Sequence, residues 1–232
     1  MPRKYTELTF TNSVKQVQER YGSRRQGAKM EAMDWPDERL SDREAQFIAD
    51  RDGFYVASVG ENGWPYVQFR GGPKGFLNVL DDRTLGFADF RGNLQYITTG
   101  NISIENRVAL FLMDYANRQR LKIMARAQLF DADDRSDLVE QLEDPNYRAR
   151  IERAVVYHVE AFDWNCPQHI TPRWTEDELA PSINELQSRI SQLEEENQRL
   201  LSGGAKQHGE LVSPTCTTGR NGNPLQIQET PH

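Results

Sequence analysis

Two short stretches concentrate the residues best suited to bind a charged small molecule. Arg70-Gly71-Gly72-Pro73-Lys74-Gly75 places three glycines and two cations within six residues. Asp89-Phe90-Arg91-Gly92-Asn93-Leu94-Gln95-Tyr96 follows a run of strand formers and opens a short helical turn. At such strand-to-loop transitions backbone N–H groups can be bare, and glycine, lacking Cβ, permits close approach of a ligand. Arg91, Asn93 and Gln95 add side-chain donors, and a guanidinium supplies a fixed cationic fork. A phosphate dianion is the ligand that such donors suit. The competing reading is a pair of ordinary glycine turns with solvated arginines, and spacing alone favours it.

The other reactive side chains have plainer readings. Cys166, in Asn165-Cys166-Pro167, has no identifiable partner and reads as a packed thiol. His158, Cys166 and His169 lack a fourth ligand, so no metal site is expected. His169 is a candidate proton donor, set against a hydrogen-bonded structural histidine. Trp164 is open to stacking on a planar ligand, whereas Trp64 beside a hairpin turn reads as packing. Asp131, Asp133 and Asp134 read as a helix-entry cap. The basic residues Lys15, Arg20, Arg24, Arg25 and Lys29 read as a solvated helix face.

These residues must be positioned by the elements around them. In 12–33, Val14, Val17 and Tyr21 fall at helical spacing, interrupted by Gly22 and Gly27. Ser41 and Glu44 form the Ser-x-x-Glu capping box of a helix over 41–51. From Gly53 the period changes to two, and Asn62-Gly63 supplies a tight hairpin turn. Strands are expected at 54–59, 65–70, 76–80, 84–90, 107–115, 119–130 and 153–163, with a helix over 133–142. Short connections between so many strands favour an antiparallel barrel, a mainly β (α+β) fold. In 175–201 Ile183, Ile190 and Asn197 fall at successive a positions, and Leu186, Leu193 and Leu200 at d. That pattern suits a parallel two-stranded coil pinned by one Asn, or else a helix packing its seam on its own domain. The expected organisation is a helical segment over 1–40, a barrel domain over 41–174, an amphipathic helix over 175–201 and a disordered tail over 202–232.

Composition narrows the class. The 232 residues carry a formal charge of −7, and 37% are hydrophobic. With a pI near 5.2 the chain lacks the cationic excess that releases counterions from nucleic acid, so no nucleic-acid partner is expected. No run approaches the roughly 18 apolar residues of a membrane span, and 1–11 has no apolar signal core. Two cysteines imply no disulfide framework, and a cytoplasmic location is expected.

Several multi-residue strings, in order, resemble one family. They are Glu61-Asn62-Gly63-Trp64-Pro65-Tyr66-Val67-Gln68, the Gly71-Gly72 loop, Asp89-Phe90-Arg91-Gly92-Asn93, and Asp163-Trp164-Asn165-Cys166-Pro167-Gln168-His169. Over about 40–175 the chain is similar to the FMN-binding split barrels related to pyridoxamine 5′-phosphate oxidase. The resemblance implies a homodimer with two FMN sites at the subunit interface. It places Gln68, Phe69, Arg70, Gly71, Gly72 and Pro73 beside the flavin ring, and Ala88 and Asp89 at the ribityl chain. Arg91, Asn93 and Gln95 fall in the phosphate-binding region, with Arg91 the first choice. Arg120 and Lys122 match a polar contact to the cofactor, while Trp164, Gln168 and His169 would approach from the other subunit.

The match also has gaps. Members that oxidise pyridoxamine phosphate carry an Arg-x4-Lys pair on the strand that here reads Gln68 to Pro73 and an Arg-x-His near the C-terminus, and neither is present at those places. The resemblance therefore implies a flavin fold without vitamin B6 oxidation. Flavin chemistry belongs to the cofactor, and the protein tunes it through binding and charge. Arg70, Lys74 and Lys122 are equal candidates to stabilise the reduced ring. The leading expectation is an FMN-dependent oxidoreductase acting on a small organic substrate. The rival is a flavin-binding or interaction protein without turnover, dimerised partly through 175–201. A deazaflavin or haem in place of FMN is a third variant.

Overall fold

In the computed structural model, which describes residues 3–33, 39–164 and 166–207, every expected strand is present. The chain divides into two units, Met1–Trp174 and Thr175–His232. The first opens with α1 (Lys4–Thr9), α2 (Asn12–Arg20), α3 (Arg24–Ala32) and α4 (Asp42–Ala49). There follow β1 (Gly53–Val59), β2 (Pro65–Gly71), β3 (Asn78–Asp81), β4 (Thr84–Phe90) and α5 (Ile97–Ile104). The unit is completed by β5 (Arg107–Asp114), β6 (Gln119–Asp131), α6 (Ser136–Leu142) and β7 (Ile151–Trp164). The second unit contains α7 (Glu176–Gln207), whose helical backbone continues through Gly203 and Gly204 beyond the expected end. Residues 208–232, most of the expected tail and Cys216 among them, lie outside the described residues.

The seven strands form one antiparallel sheet in the order β2-β1-β5-β6-β7-β4-β3. Three strands separate β1 from β4 in that order, yet the Phe54 and Phe87 rings meet edge to face at 5.6 Å. The sheet therefore curls until its two ends face one another, the geometry of a split barrel. Tyr157 stacks on Phe87 at 5.9 Å, and Phe76 on Phe54 at 5.7 Å. Around these rings pack Val56, Leu85, Leu110, Leu112, Leu121 and Ile123, each almost wholly buried. Ring pairs of this kind contribute about 0.5–1.5 kcal/mol beyond their area burial, so this cluster is what holds the curl. A smaller cluster seats Leu138 and Leu142 of α6 against Ala88, Ala154 and Val156.

Local differences from the expected elements have local causes. The helix expected over 12–33 is two helices, because Gly22 takes a left-handed φ of +75° and ends α2. The β1–β2 turn is a five-residue loop closed by Gly60 N–H to Trp64 O at 2.9 Å, and only its Gly63 has positive φ. The helix after β6 starts at Ser136, three residues later than expected. The short helical turn expected to open from 89–96 is α5, which runs two full turns although Ile97-Thr98-Thr99-Gly100 has weak helix propensity; burial of Thr98 and Ile102 holds it.

The capping box at α4 forms as expected and does more than cap. Glu44 accepts from the Ser41 backbone at 3.1 Å and from the Trp164 indole N–H at 2.6 Å, tying α4 to the end of β7. Burial alone would raise the Glu44 carboxyl, but hydrogen bonds from Ser41 and Trp164 outweigh it and leave the group below its usual range. The stabilisation is full above the unfolded-state value and is lost as pH falls through the lowered folded value. Glu44→Ala should cost about 2–3 kcal/mol, the sum of a lost cap and an orphaned indole donor. Denaturant titration at neutral pH checks this, and the gap to the parent should narrow in acid.

Candidate functional site

Strand alternation decides which residues of β2 and β4 face the same space. On β2, Tyr66, Gln68 and Arg70 point one way; Val67 and Phe69 point the other and are exposed. On β4, Asp89 faces inward with Arg70, while Ala88 belongs to the cluster under α6. A register shift between Asp89 and Phe90, where β4 leaves β7, turns the chain into the loop 91–96. Together β2, β4, the loop, the start of α5 and the start of β7 enclose a cleft of about 180 Å³.

At its floor lies Asp89, 2% exposed. Arg70 Nη1 reaches Asp89 Oδ1 at 2.6 Å, and Arg153 Nη1 reaches Oδ2 at 2.8 Å. Neither arginine is exhausted by that pairing, because a guanidinium carries five donors. Arg70 Nε is buried with no partner among the described residues. Glu152 receives the Tyr96 hydroxyl at 3.1 Å and lies 3.7 Å from Arg91 Nε. Arg153 also sits 5.2 Å over the Tyr96 ring. Two guanidinium groups, Arg70 and Arg153, and two carboxylates, Asp89 and Glu152, line the cleft, and Arg91 adds a third cation at its flank, in a chain whose formal charge is −7.

The backbone adds uncharged donors. Among the described residues the amides of Gly92, Asn93 and Leu94 have no protein acceptor, and α5 has no side-chain cap at its first turn. Leu94 and Tyr96 hold left-handed φ values of 62° and 52°, a strained conformation for side chains of that size. Thr98 donates to Gln68 Oε1 at 2.6 Å, which fixes the Gln68 amide and leaves its NH2 as a donor. Bare amides in the loop that leads into a helix start, with arginines beside them, are groups chemically suited to accept an anion.

The structure separates the expected site residues into groups. Gln68, Arg70, Asp89, Asn93 and Gln95 line the cleft, and Arg91 flanks it through Glu152. Phe69 and Gly71 lie on the outer side of β2, and Ala88 is in the second core cluster. The glycine loop is a fold element: Gly72 and Gly75 donate to Asp52 O and Arg51 O at 3.0 and 2.9 Å, so their amides are not bare. A Cβ on Gly72 would lie 2.6 Å from the Phe76 ring, so this glycine admits a core aromatic, and Pro73 follows it in the same turn. Lys74 pairs with Asp50 at 3.0 Å, away from the cleft.

The remaining expected residues cluster at the other end of β7. Lys122 pairs in register with Asp163 across β6 and β7, and Arg120 donates to Cys166 O at 3.2 Å. Trp164 is eleven residues along β7 from Arg153, roughly 36 Å at strand rise. Its N–H is used by Glu44, and the Arg43 guanidinium lies 4.2 Å over its ring, so the indole is committed to packing. Gln168 and His169 are exposed, and His169 holds a left-handed φ of 63°. Cys166 is exposed, not packed as expected. Asn165 lies outside the described residues.

Tyr66, Tyr96, Thr99, Glu152 and Arg153 line the cleft without having been expected there. Arg153 opens an apolar strand, and only the register that sets it opposite Asp89 reveals its role.

No curated protein matches the chain. Among solved structures, HupZ of Group A Streptococcus is 14% identical, over 58% of this chain and 100% of that one, with a TM-score of 0.44. A putative pyridoxamine 5′-phosphate oxidase of Lactobacillus delbrueckii is 22% identical, over 55% and 95%, with a TM-score of 0.42. An FMN-binding protein of Syntrophomonas wolfei is 13% identical, over 53% and 83%, with a TM-score of 0.41. The model of the pyridoxamine 5′-phosphate oxidase family matches residues 40–164, more than half of the chain and the whole of the sheet. The chain belongs to the pyridoxamine 5′-phosphate oxidase family.

Proposed function

We propose that this protein is an FMN-dependent oxidoreductase, working as a cytoplasmic homodimer on a small organic substrate other than pyridoxamine phosphate. The observation that carries the reading is the cleft at Asp89: bare amides 92–94, an uncapped α5 start and the guanidinium groups of Arg70 and Arg153 gathered at one point, with Arg91 at the flank. Those groups suit the phosphate end of the cofactor, and the orphaned Arg70 Nε gives a buried donor that a bound anion or carbonyl would satisfy. When bound, FMN would supply hydride and electron transfer. Arg70 and Arg153 would hold positive charge beside it, and Gln68 would present its amide NH2. Asp89 keeps both guanidinium groups in place before any ligand arrives, which lowers the ordering cost of binding.

The dimer is supported by what one chain leaves open. The cleft is smaller than the roughly 300–1,000 Å³ of small-molecule pockets. Beside it, Tyr55, Trp64, Val67 and Phe69 form an exposed apolar stripe, with the Tyr55 and Phe69 rings 5.3 Å apart. Because Val67 and Phe69 of this stripe project from one face of the edge strand β2 and Gln68 and Arg70 from the other, a second copy seated on the stripe and reaching round that edge would border the cleft. His169 of the partner subunit, far from the cleft in its own chain, would then be free to complete the site.

The test is reduction. The FMN-loaded protein should bleach near ~450 nm on anaerobic addition of NADH or NADPH and recover its colour in air. Colour that persists after addition of either donor would indicate a binding protein without turnover.

A further inference from the structure

We propose that α7 pairs with α7 of a second copy of this chain as a parallel, two-stranded coiled coil. Its seam residues Ile183, Leu186, Ile190, Leu193 and Leu200 are each 41–68% exposed. They recur in steps of three and four, so they form one continuous stripe that a single helix cannot cover. Ile at a with Leu at d packs best in a two-stranded coil.

Charge identifies the occupant as a copy of the same helix. Arg189 falls at g and Glu194 at the following e, the two positions that meet across a parallel pair. Among the described residues Arg189 reaches only the neutral Gln192 of its own helix, at 3.4 Å, so its charge is left for a partner. Glu195 and Arg199, by contrast, are 3.9 Å apart on the outer face, where an intrahelical pair belongs. Each of two identical helices would offer one Arg189 and one Glu194, giving two symmetric contacts.

Asn197 fixes the direction. In a parallel, in-register pair it lies against its own copy at the a layer, where the two amides satisfy one another. An antiparallel pair matched end to end would set Asn197 against Leu186 and bury an amide beside an apolar side chain. Pro181, within the helix, lies just before the first heptad and takes no seam position. The seam of 18 residues, Ile183 through Leu200, is about 27 Å long. A coil so short is marginal alone, so the full-length chain is the material to test.

The test is site-directed cross-linking of the full-length protein in a Cys166→Ser, Cys216→Ser background. Leu200→Cys, at a d position, should oxidise to a covalent dimer at least about tenfold faster than Ser188→Cys, which faces away from the seam at f. Adding Leu193→Lys should abolish the Leu200→Cys dimer. Equal rates at 188 and 200, or no covalent dimer at either, would overturn the proposal. So would a dimer that forms only when Ile183→Cys chains are mixed with Leu200→Cys chains, the antiparallel outcome. Sedimentation of the chain truncated after Pro181 reports separately on the first unit, so failure of the barrel dimer is distinguishable from failure of this pairing.

Discussion

Replacing Asp89 with alanine is expected to lower the melting temperature by roughly 6–20 °C. The range follows from a loss of about 3–5 kcal/mol for breaking a buried ion pair, at roughly 2–4 °C per kcal/mol in a domain of this size. Asp89 is 2% exposed, and the Arg70 and Arg153 side chains are 17% and 12% exposed. Removing the carboxylate leaves two guanidinium groups side by side with little water and one counter-ion fewer. Asp89→Asn should fall between parent and alanine, since it keeps shape and hydrogen-bonding atoms but not charge. Replacing all three residues with apolar ones (Arg70→Met, Asp89→Leu, Arg153→Met) should recover most of the stability, because no buried charge then lacks a partner. Calorimetry of the three proteins decides the matter. An Asp89→Ala variant within about 1 °C of the parent, well under the shift expected for a broken buried pair, would show that the arginines find compensation elsewhere.

The second large effect is on cofactor affinity. Arg70→Met should weaken FMN binding about 10- to 100-fold, the equivalent of one charge-assisted hydrogen bond of roughly 1.5–3 kcal/mol. The fold should tolerate it, since Asp89 retains Arg153 at 2.8 Å. Lys74→Ala should leave affinity unchanged, because Lys74 is engaged with Asp50 and its side chain is 68% exposed. Arg91→Ala should have a smaller effect than Arg70→Met, since Arg91 is 43% exposed and stands 3.7 Å from Glu152. Fluorescence quenching titrations of the three variants would rank them. Equal loss in Lys74→Ala and Arg70→Met would contradict the placement of the positive charge.

Much of this architecture was readable from local chemistry. Strand periodicity located β1 to β7 to within a few residues, and Ser41 with Glu44 marked the start of α4. The curl of the sheet was not local. It depends on Phe54 meeting Phe87, residues on strands that are not neighbours. The short connections already favoured a barrel, but not which residues close it; likewise the helical turn expected after 89–96 gave no sign of the full length of α5, whose β-branched and glycine residues are held by burial against propensity. Of the two glycine-containing stretches, one proved to be a turn whose amides are spent on Asp52 and Arg51. The other kept its amides bare. Nothing in composition separates the two; what separates them is which carbonyls the fold brings alongside.

The site shows the same limit more sharply. Arg91, Asn93 and Gln95 were visible because they are gathered with glycine in one loop. Arg153 and Glu152 come from a strand some sixty residues later, and only the β4–β7 register sets Arg153 against Asp89. Trp164 looked free to stack, yet Glu44 and Arg43 claim both its N–H and its face. Long-range pairing decides which polar residues are left over for a ligand, and a single sequence does not encode that in any short window.

The most direct test is equilibrium titration of the full-length protein with FMN and, in parallel, with riboflavin, which has the same ring system but no phosphate. A phosphate cradle shared across two copies predicts one FMN per chain, a dimeric complex, and affinity for riboflavin lower by about 100-fold or more, as expected for losing several charge-assisted bonds. Equal affinity for the two ligands, or no binding of either, would contradict it.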